Sequence, residues 1–281
     1  MARLRGAAGF EELYQSRFKE RWAELRQALL APTEHVQRPN GFAAHSSGLA
    51  THYALDRASI LAAESLSLEP GMQVLDMCAA PGGKALILAE QLFLSVSGGV
   101  VDTEDDGVAR RTLVLNELSR TRRARLARVL DDYVPPEIRQ RIDVRGHNAT
   151  RFGQHHPNTY DAILLDAPCS SERHVLADPK ALAEWSEARV QHLAIQQYSL
   201  LRSAFAALKP GGVLVYATCA LLEEENANVI GRLHRKLGTE WKEEPLGFNL
   251  GHPERFGWSI WPDTEGAGPM YVCRLRKNGP T

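Results

Sequence analysis

The 281-residue chain lacks the features that would assign it to a membrane or an oxidising compartment. No apolar run approaches the roughly 18 residues a membrane-spanning helix needs, and there is no signal-peptide pattern. Cysteine is scarce: Cys78, Cys169, Cys219 and Cys273 are the only four. They lie too far apart for a CxxC zinc motif and are too few to staple a chain of this size. They read as reduced thiols in a non-secreted protein. Charge of one sign is also missing. The formal net charge of −1 at pH 7 argues against a uniformly basic surface, though not against a local basic patch. The histidines, His155 and His156 included, show no ligand spacing, so no metal is expected. No internal repeat is present. What remains is 44% hydrophobic and 24% charged, a globular composition with room for one large domain or two small ones.

Periodicity predicts a helix over 10–31 with an apolar stripe of Phe10, Leu13, Tyr14, Phe18, Trp22, Leu25 and Leu29. A Pro-, Gly- and Ser-rich loop over 32–52 and a helix over 54–67 follow. A short strand ends at Asp76, and a helix starts near Lys84. Residues 95–110 read as a surface insertion with a short strand at Val100–Val101. Apolar strands in TLVLNELS, IDVRGHNAT, YDAILLDAPCSS, VLVYAT and GPMYVCRLRK then alternate with helices, including one over 180–208. Strands separated by helices of ten or more residues predict βαβ units. The fold class is therefore α/β with a mostly parallel, doubly wound sheet. Ligands of such sheets bind beyond the carboxyl ends of the strands. Asp76, Glu117, Asn148, Asp166 and Cys219 each follow an apolar strand run.

The stretch VLDMCAAPGGKALILAE, 74–90, joins a strand to a helix through Pro81, Gly82 and Gly83. Such a turn lets a ligand approach bare backbone N–H groups at the positive end of a helix. A phosphate-binding GxxxxGK(S/T) loop does not fit, because Cys78 stands at the first glycine and Ala85 follows Lys84. The GxGxxG fingerprint of nicotinamide sites is absent. A strand-ending carboxylate, a glycine turn and a second acid, Glu117, after the next strand suit an adenosine ligand without phosphates. S-adenosylmethionine fits.

LDMCAAPGGK, LLDAPCSS, KPGGVLVYATCALLEEEN and GPMYVCRLRK together resemble the NOL/NOP/Sun (Fmu) family of RNA cytosine-5 methyltransferases, over about residues 48–277. NELSRTRRARLARVLDDYVPPEIR and the GPMY ending are similar to the mitochondrial-type branch, which acts on organellar rRNA or tRNA. The resemblance implies a Rossmann-like class I methyltransferase fold over 48–281, with a C-terminal antiparallel strand and a short helical extension over 1–47. It implies S-adenosylmethionine as cofactor, with Gly82, Gly83 and Lys84 at its methionine end. Glu117 would take the ribose, Arg122 would support it, and Asn148 and Ala149 would lie beside the adenine. Asp166 falls between cofactor and cytosine, Cys219 at the nucleophile and Cys169 at the second catalytic cysteine. Ala85, Glu117, Asn148, Ala217 and Ala220 depart from the family pattern without removing a reacting group. Asp102 rivals Glu117 for the ribose.

The chemistry explains two cysteines. Carbon 5 of cytosine is a weak nucleophile until a thiolate adds to carbon 6. The adduct must later lose its carbon-5 proton and expel the thiolate. By itself, each cysteine reads as a small buried hydrophobe, which is the reading kept for Cys78 and Cys273. Arg120, Arg123, Arg125 and Arg128 form a candidate phosphate-contacting stripe. The expected partner is rRNA or tRNA, with a helper protein or the ribosomal particle supplying specificity. DNA methylation, with Cys169 attacking, is one rival; a catalytically silent assembly factor is another. Glu11 and Glu12 follow MARLRGAAGF at once, unlike an acid-poor transit peptide. The expected location is the cytoplasm, with the mitochondrial matrix as the alternative.

Overall fold

The computed structural model describes residues 4–94 and 112–279. The strand expected at Val100–Val101 and the rival acid Asp102 lie outside the described residues. The N-terminal stripe forms two helices, α1 (Gly6–Phe18) and α2 (Trp22–Leu30), rather than one. Lys19 takes a left-handed φ of 54° and breaks them. The expected loop over 32–52 contains β1 (His35–Pro39), paired antiparallel with β2 (His52–Asp56). The start of the helix expected at 54 is therefore strand, and α3 covers only Arg57–Glu64. Asn40 closes the hairpin, its amide donating to Ala50 O at 2.8 Å and Tyr133 O at 2.9 Å.

The parallel core comprises β3 (Val74–Asp76), β4 (Leu113–Asn116), β5 (Ile142–Arg145), β6 (Tyr160–Asp166) and β7 (Leu208–Thr218). Between these strands lie α4 (Gly83–Phe93), α5 (Arg120–Tyr133), α6 (Pro136–Arg139), α7 (Phe152–His155), α8 (Glu172–Ala177), α9 (Pro179–Glu184) and α10 (Glu187–Ala207). The last two replace the single helix expected over 180–208, and α8 lies in the loop expected before it. After β7 come α11 (Ala227–Leu237), β8 (Trp241–Glu243), β9 (His252–Pro253), β10 (Trp258–Ile260), α12 (Pro262–Glu265) and β11 (Met270–Lys277). The sheet runs β5-β4-β3-β6-β7-β11-β10-β9, with β8 also on β11. Pairs from β5 through β7 are parallel and β11 runs antiparallel to β7. This is a doubly wound α/β sheet with a C-terminal antiparallel strand. The strand order reverses at β3, so a crevice opens beyond its carboxyl end.

The sheet is covered on both faces, which is why its strands read as nearly continuous apolar runs. Alternate residues of β6 divide between the layers. Ala162 and Leu164 pack with α3, α4 and α5, and Ile163 and Leu165 pack with α10 and α11. A third apolar cluster joins Phe10, Tyr14, Trp22, Leu25 and Leu29 to Leu176, Trp185, Leu221 and Leu222. The N-terminal helices thus rest on the segments that follow Cys169 and Cys219. Phe10 is fully buried there, edge-on to Trp185 at 5.3 Å between ring centroids. Replacing it with alanine leaves a cavity in a packed aromatic cluster. Phe10→Ala should therefore lower unfolding stability by about 3–5 kcal/mol in denaturant titration. A loss below about 1 kcal/mol would mean that the cluster collapses around the gap.

Candidate active site

Beyond the end of β3, Pro81 and Gly82 turn the chain into α4. Gly82 has φ +122°, a backbone conformation that L side chains rarely adopt. A Cβ on Gly83 would come within 2.4 Å of Leu55 Cδ2 and 2.9 Å of Tyr53 Cε1. The hairpin therefore packs against bare backbone at the amino end of α4, and only glycine permits the approach. A cavity of about 310 Å³ lies there, lined by Tyr53, Asp56, Asp76, Gly82, Lys84 and Asp166 among others. A second cavity, of about 210 Å³, is lined by Thr33, Ser171, Arg173, Cys219, Pro269 and neighbouring groups. His35, Asp56 and Ser59 line both, so the two share a wall built by the hairpin and α3. Cys219 lines the second cavity and Cys169 lines neither.

Parallel pairing of β6 and β7 brings the two cysteines together. Their sulfurs are 3.1 Å apart, both cysteines are free and both are half-buried. The hydrogen bond between them acts in opposite directions. It pulls the Cys219 thiol below its ordinary value against the effects of burial and Asp166, with a further bond from Ser171 helping. The same bond, followed by burial, pushes the Cys169 thiol well up. The arrangement therefore favours a thiolate on Cys219 with the proton on Cys169. Two cations bear on it. Lys84 Nζ donates to Asp166 Oδ2 at 2.8 Å and to Ser59 Oγ at 3.3 Å. Burial would lower the Lys84 pKa, but Asp166 and Cys219 more than offset this and raise it. Arg173 donates through Nη1 to Leu29 O at 2.9 Å and Ala31 O at 3.0 Å, and through Nη2 to Gly268 O at 2.9 Å. Burial lowers the Arg173 pKa, while Asp56 and Cys219 oppose the shift.

The remaining candidates are placed as follows. Glu117 is buried, accepts from Ser119 N–H at 2.9 Å and pairs with Arg122 at 3.3 Å. Arg122 also donates to Ala80 O at 2.8 Å, which ties the end of β4 to the glycine turn. Asn148 caps a short turn, accepting from Thr150 N–H at 3.1 Å, and Ala149 is buried beside it. Glu117, Arg122, Asn148 and Ala149 do not line the 310 Å³ cavity. Asp76 is almost fully buried, and burial, followed by Asp166, pushes its carboxyl up to about 7. In the arginine stripe, Arg120, Arg125 and Arg128 are exposed and line an open concavity with Arg122, while Arg125 also reaches the 310 Å³ cavity. Arg123 does not belong to that face: its guanidinium donates to Glu117 O at 2.8 Å and holds the end of β4. His35, Tyr53, Asp56 and Ser59 had no sequence signal, because the strands that carry most of them are only five residues long and β1 is almost wholly exposed. Arg173, in the first turn of α8 after Cys169, could have been flagged only by asking which cation lies near the nucleophile. Among the described residues, no group of three or more His, Cys, Asp or Glu side chains could hold a metal ion.

A sequence model of the 16S rRNA methyltransferases RsmB/F matches residues 63–276. The chain belongs to this family. This RsmB/F chain is 33% identical over 248 residues to the 5-cytosine rRNA methyltransferase NSUN4 of Bos taurus, covering 82% of itself and 60% of that protein. It is 33% identical over 246 residues to a mitochondrial tRNA (cytosine(34)-C(5))-methyltransferase of Danio rerio, covering 83% of itself and 62% of that protein. It is 34% identical over 266 residues to the ribosomal RNA small subunit methyltransferase F of Aeromonas salmonicida, covering 92% of itself and 51% of that protein. The RsmB/F chain thus spans about three-fifths of the first two relatives' length. Its fold matches a methyltransferase homologue from Pyrococcus horikoshii at TM-score 0.71 and 21% identity, covering 95% of this chain and 94% of that one.

The raised Asp76 carboxyl has a consequence for stability. Its ordinary value is 3.8, and the folded value is about 7. Between these values the unfolded chain has given up the proton and the folded chain has not. Stability therefore falls as pH rises from about 4 to about 7, then levels off. Asp76→Asn keeps an acceptor for the Cys78 N–H and cannot ionise. Denaturant titrations at pH 5 and pH 8 should show a smaller loss for the variant than for the wild type. Equal losses would place the titration elsewhere.

Proposed function

We propose that this RsmB/F chain is an S-adenosylmethionine-dependent RNA methyltransferase that forms 5-methylcytosine, with rRNA as its substrate and tRNA as the alternative. The tRNA reading is kept because rRNA-named and tRNA-named relatives are equally identical to the chain. The observation that carries the proposal is the 3.1 Å separation of the Cys169 and Cys219 sulfurs, with Cys219 lining the smaller of two adjoining cavities. The methionine end of the cofactor fits the larger cavity. Bare N–H groups at the amino end of α4 suit a carboxylate, and Gly82 and Gly83 provide a cradle that a Cβ would fill. Gly82, Gly83 and Lys84 would hold its methionine end in that cavity; beyond the cavity, Glu117 with Arg122 would take its ribose, and Asn148 and Ala149 its adenine. When bound, it supplies a methyl group on a sulfonium.

The target cytosine occupies the smaller cavity, flipped out of its stack at a cost of about a few kcal/mol unless already unpaired. Cys219 Sγ forms a bond to carbon 6, and the ring electron pair moves toward carbon 5. The Asp166 carboxylate, oriented by Lys84, accepts from the N4 amino group and from N3–H once a solvent proton has reached N3, and so stabilises the adduct. Once carbon 5 carries the methyl group, its proton passes to a solvent water acting as base, that electron pair re-forms the 5,6 double bond, and the carbon–sulfur bond breaks with Cys219 leaving as a thiolate. The Cys169 S–H, 3.1 Å away, stabilises that leaving sulfur. The protein acts with the ribosomal particle or a helper protein supplying specificity, in the cytoplasm or, as the alternative, the mitochondrial matrix. Among the described residues, no helix is long and apolar enough to cross a membrane.

Two experiments test this reading. Cys219→Ala should abolish both methyl transfer and covalent protein–RNA adduct. Cys169→Ala should methylate once and then accumulate an adduct stable to denaturing electrophoresis. The reverse assignment would favour the DNA-type mechanism, and no adduct from any form would favour a silent assembly factor.

For RNA affinity, the triple replacement of Arg120, Arg125 and Arg128 by alanine should weaken binding and flatten its salt dependence. Each phosphate that is no longer neutralised should reduce the slope by about 1. Arg123→Ala should instead lower stability and leave the salt slope unchanged. An unaltered slope in the triple variant would make the stripe a solvated helix face.

A further inference from the structure

Behind the two cysteines lies a buried cluster that the reaction described above leaves unused. Glu172 and Glu225 are both fully buried, and they hold Ser170 from two sides. Ser170 Oγ donates to Glu172 Oε1 at 2.8 Å, and Ser170 N–H donates to Glu225 Oε2 at 2.9 Å. Tyr14, from α1, donates to the same Glu172 oxygen at 2.6 Å. Gln197, from α10, donates to the same Glu225 oxygen at 2.8 Å and to Pro168 O at 2.8 Å. Each carboxyl thus has one oxygen that receives two donors. The other oxygens, Glu172 Oε2 and Glu225 Oε1, are buried without a partner.

Two buried carboxyls so close to one residue do not ionise together readily. Burial, then Glu172, pushes Glu225 up to about 7, and burial also raises Glu172. As pH rises past that value the pair gains negative charge. Cys169 directly precedes Ser170. After the bond to Cys219 and burial, these two carboxylates are what raise its thiol. Glu172 also acts against a thiolate on Cys219, so of the two carboxylates it is Glu225 that adds to the asymmetry set by the bond between the sulfurs. The groups around the pair are neutral donors: Tyr14, Ser170, Gln197 and the Leu221 backbone N–H, while Tyr216 donates to the Glu225 carbonyl at 2.6 Å. Beyond the cysteines lie Asp166, Lys84, Arg173 and Asp76.

We propose that Glu225, with Glu172, is a positioning pair for the cysteines: it fixes the Pro168–Ser170 backbone, and its buried negative charge keeps the proton on Cys169, leaving Cys219 free to attack. This rests on Cys219 being the attacking sulfur.

The test reads the sulfurs directly. The chain is treated with iodoacetamide across pH 5.5–9, roughly the range that brackets a carboxyl titrating near neutrality. Modification of each cysteine is followed by peptide mass spectrometry. In the wild type the ratio of Cys219 to Cys169 modification should rise as pH passes about 7. Glu225→Gln keeps the acceptor for Ser170 and Gln197 but not the charge. With folding verified by circular dichroism, it should lose that step and show a ratio about tenfold lower at high pH, the equivalent of one pKa unit. Glu172→Gln removes the neighbour that raises Glu225, so the step should move to lower pH. A wild type without a step, a folded Glu225→Gln variant that keeps it, or a Glu172→Gln variant in which it stays put would each overturn the proposal. Asp76 is intact in both variants, so a step surviving in Glu225→Gln belongs to it and counts against the pair. No RNA is used, so failure of methyl transfer would sink the functional reading and leave this result standing.

Discussion

Asp166 lies opposite Ala217 in the parallel pairing of β6 with β7, and the ladder continues one step further as Ala167 N–H donates to Ala217 O at 2.8 Å. The candidate site depends on this register. It places the DAPC segment beside the TC segment, so that two cysteines fifty residues apart end with their sulfurs in contact. A slip of one residue would shift one segment by about 3.3 Å and turn alternate side chains to the wrong helix layer. The apolar division of β6 between two packed faces makes such a slip costly. The same burial that stabilises the sheet therefore fixes the geometry of the reacting groups.

Burial also determines the electrostatics. Asp76, Glu172 and Glu225 are carboxyls taken almost wholly out of water, and all three are pushed up. Lys84 stays charged in the same surroundings because Asp166 is in contact with it. The two sulfurs are separated in proton affinity by their mutual hydrogen bond, and Glu225 behind Cys169 acts in the same direction. Each group's state is thus set by which neighbour it faces rather than by its residue type.

The N-terminal helices and the hairpin take part in this arrangement. Tyr14 reaches Glu172, and Arg173 reaches the carbonyl groups at the end of α2. His35 and Asp56 stand in the wall common to both cavities. Residues 4–47 thus contribute packing, a hydrogen bond to a buried acid and part of a cavity wall.

The sequence by itself determined the α/β class, the parallel core and the candidates at the strand ends, because a sheet buried on both faces requires apolar runs and a glycine turn leaves its mark in the residues that permit it. The motif pair DAPC and TC was legible for the same reason: each is local. Tertiary structure alone decided the rest. The hairpin β1–β2 pairs two five-residue strands, the first almost wholly exposed, and is held by Asn40 reaching across to Tyr133, a hydrogen bond no local pattern encodes. Arg123 looks like its neighbours in the stripe, yet turns inward because the carbonyl groups at the end of β4 lie within its reach. Which cysteine keeps the proton depends on distances among Cys169, Cys219, Glu172 and Glu225. Those distances exist only after β6, β7, α8 and the segment before α11 have packed together.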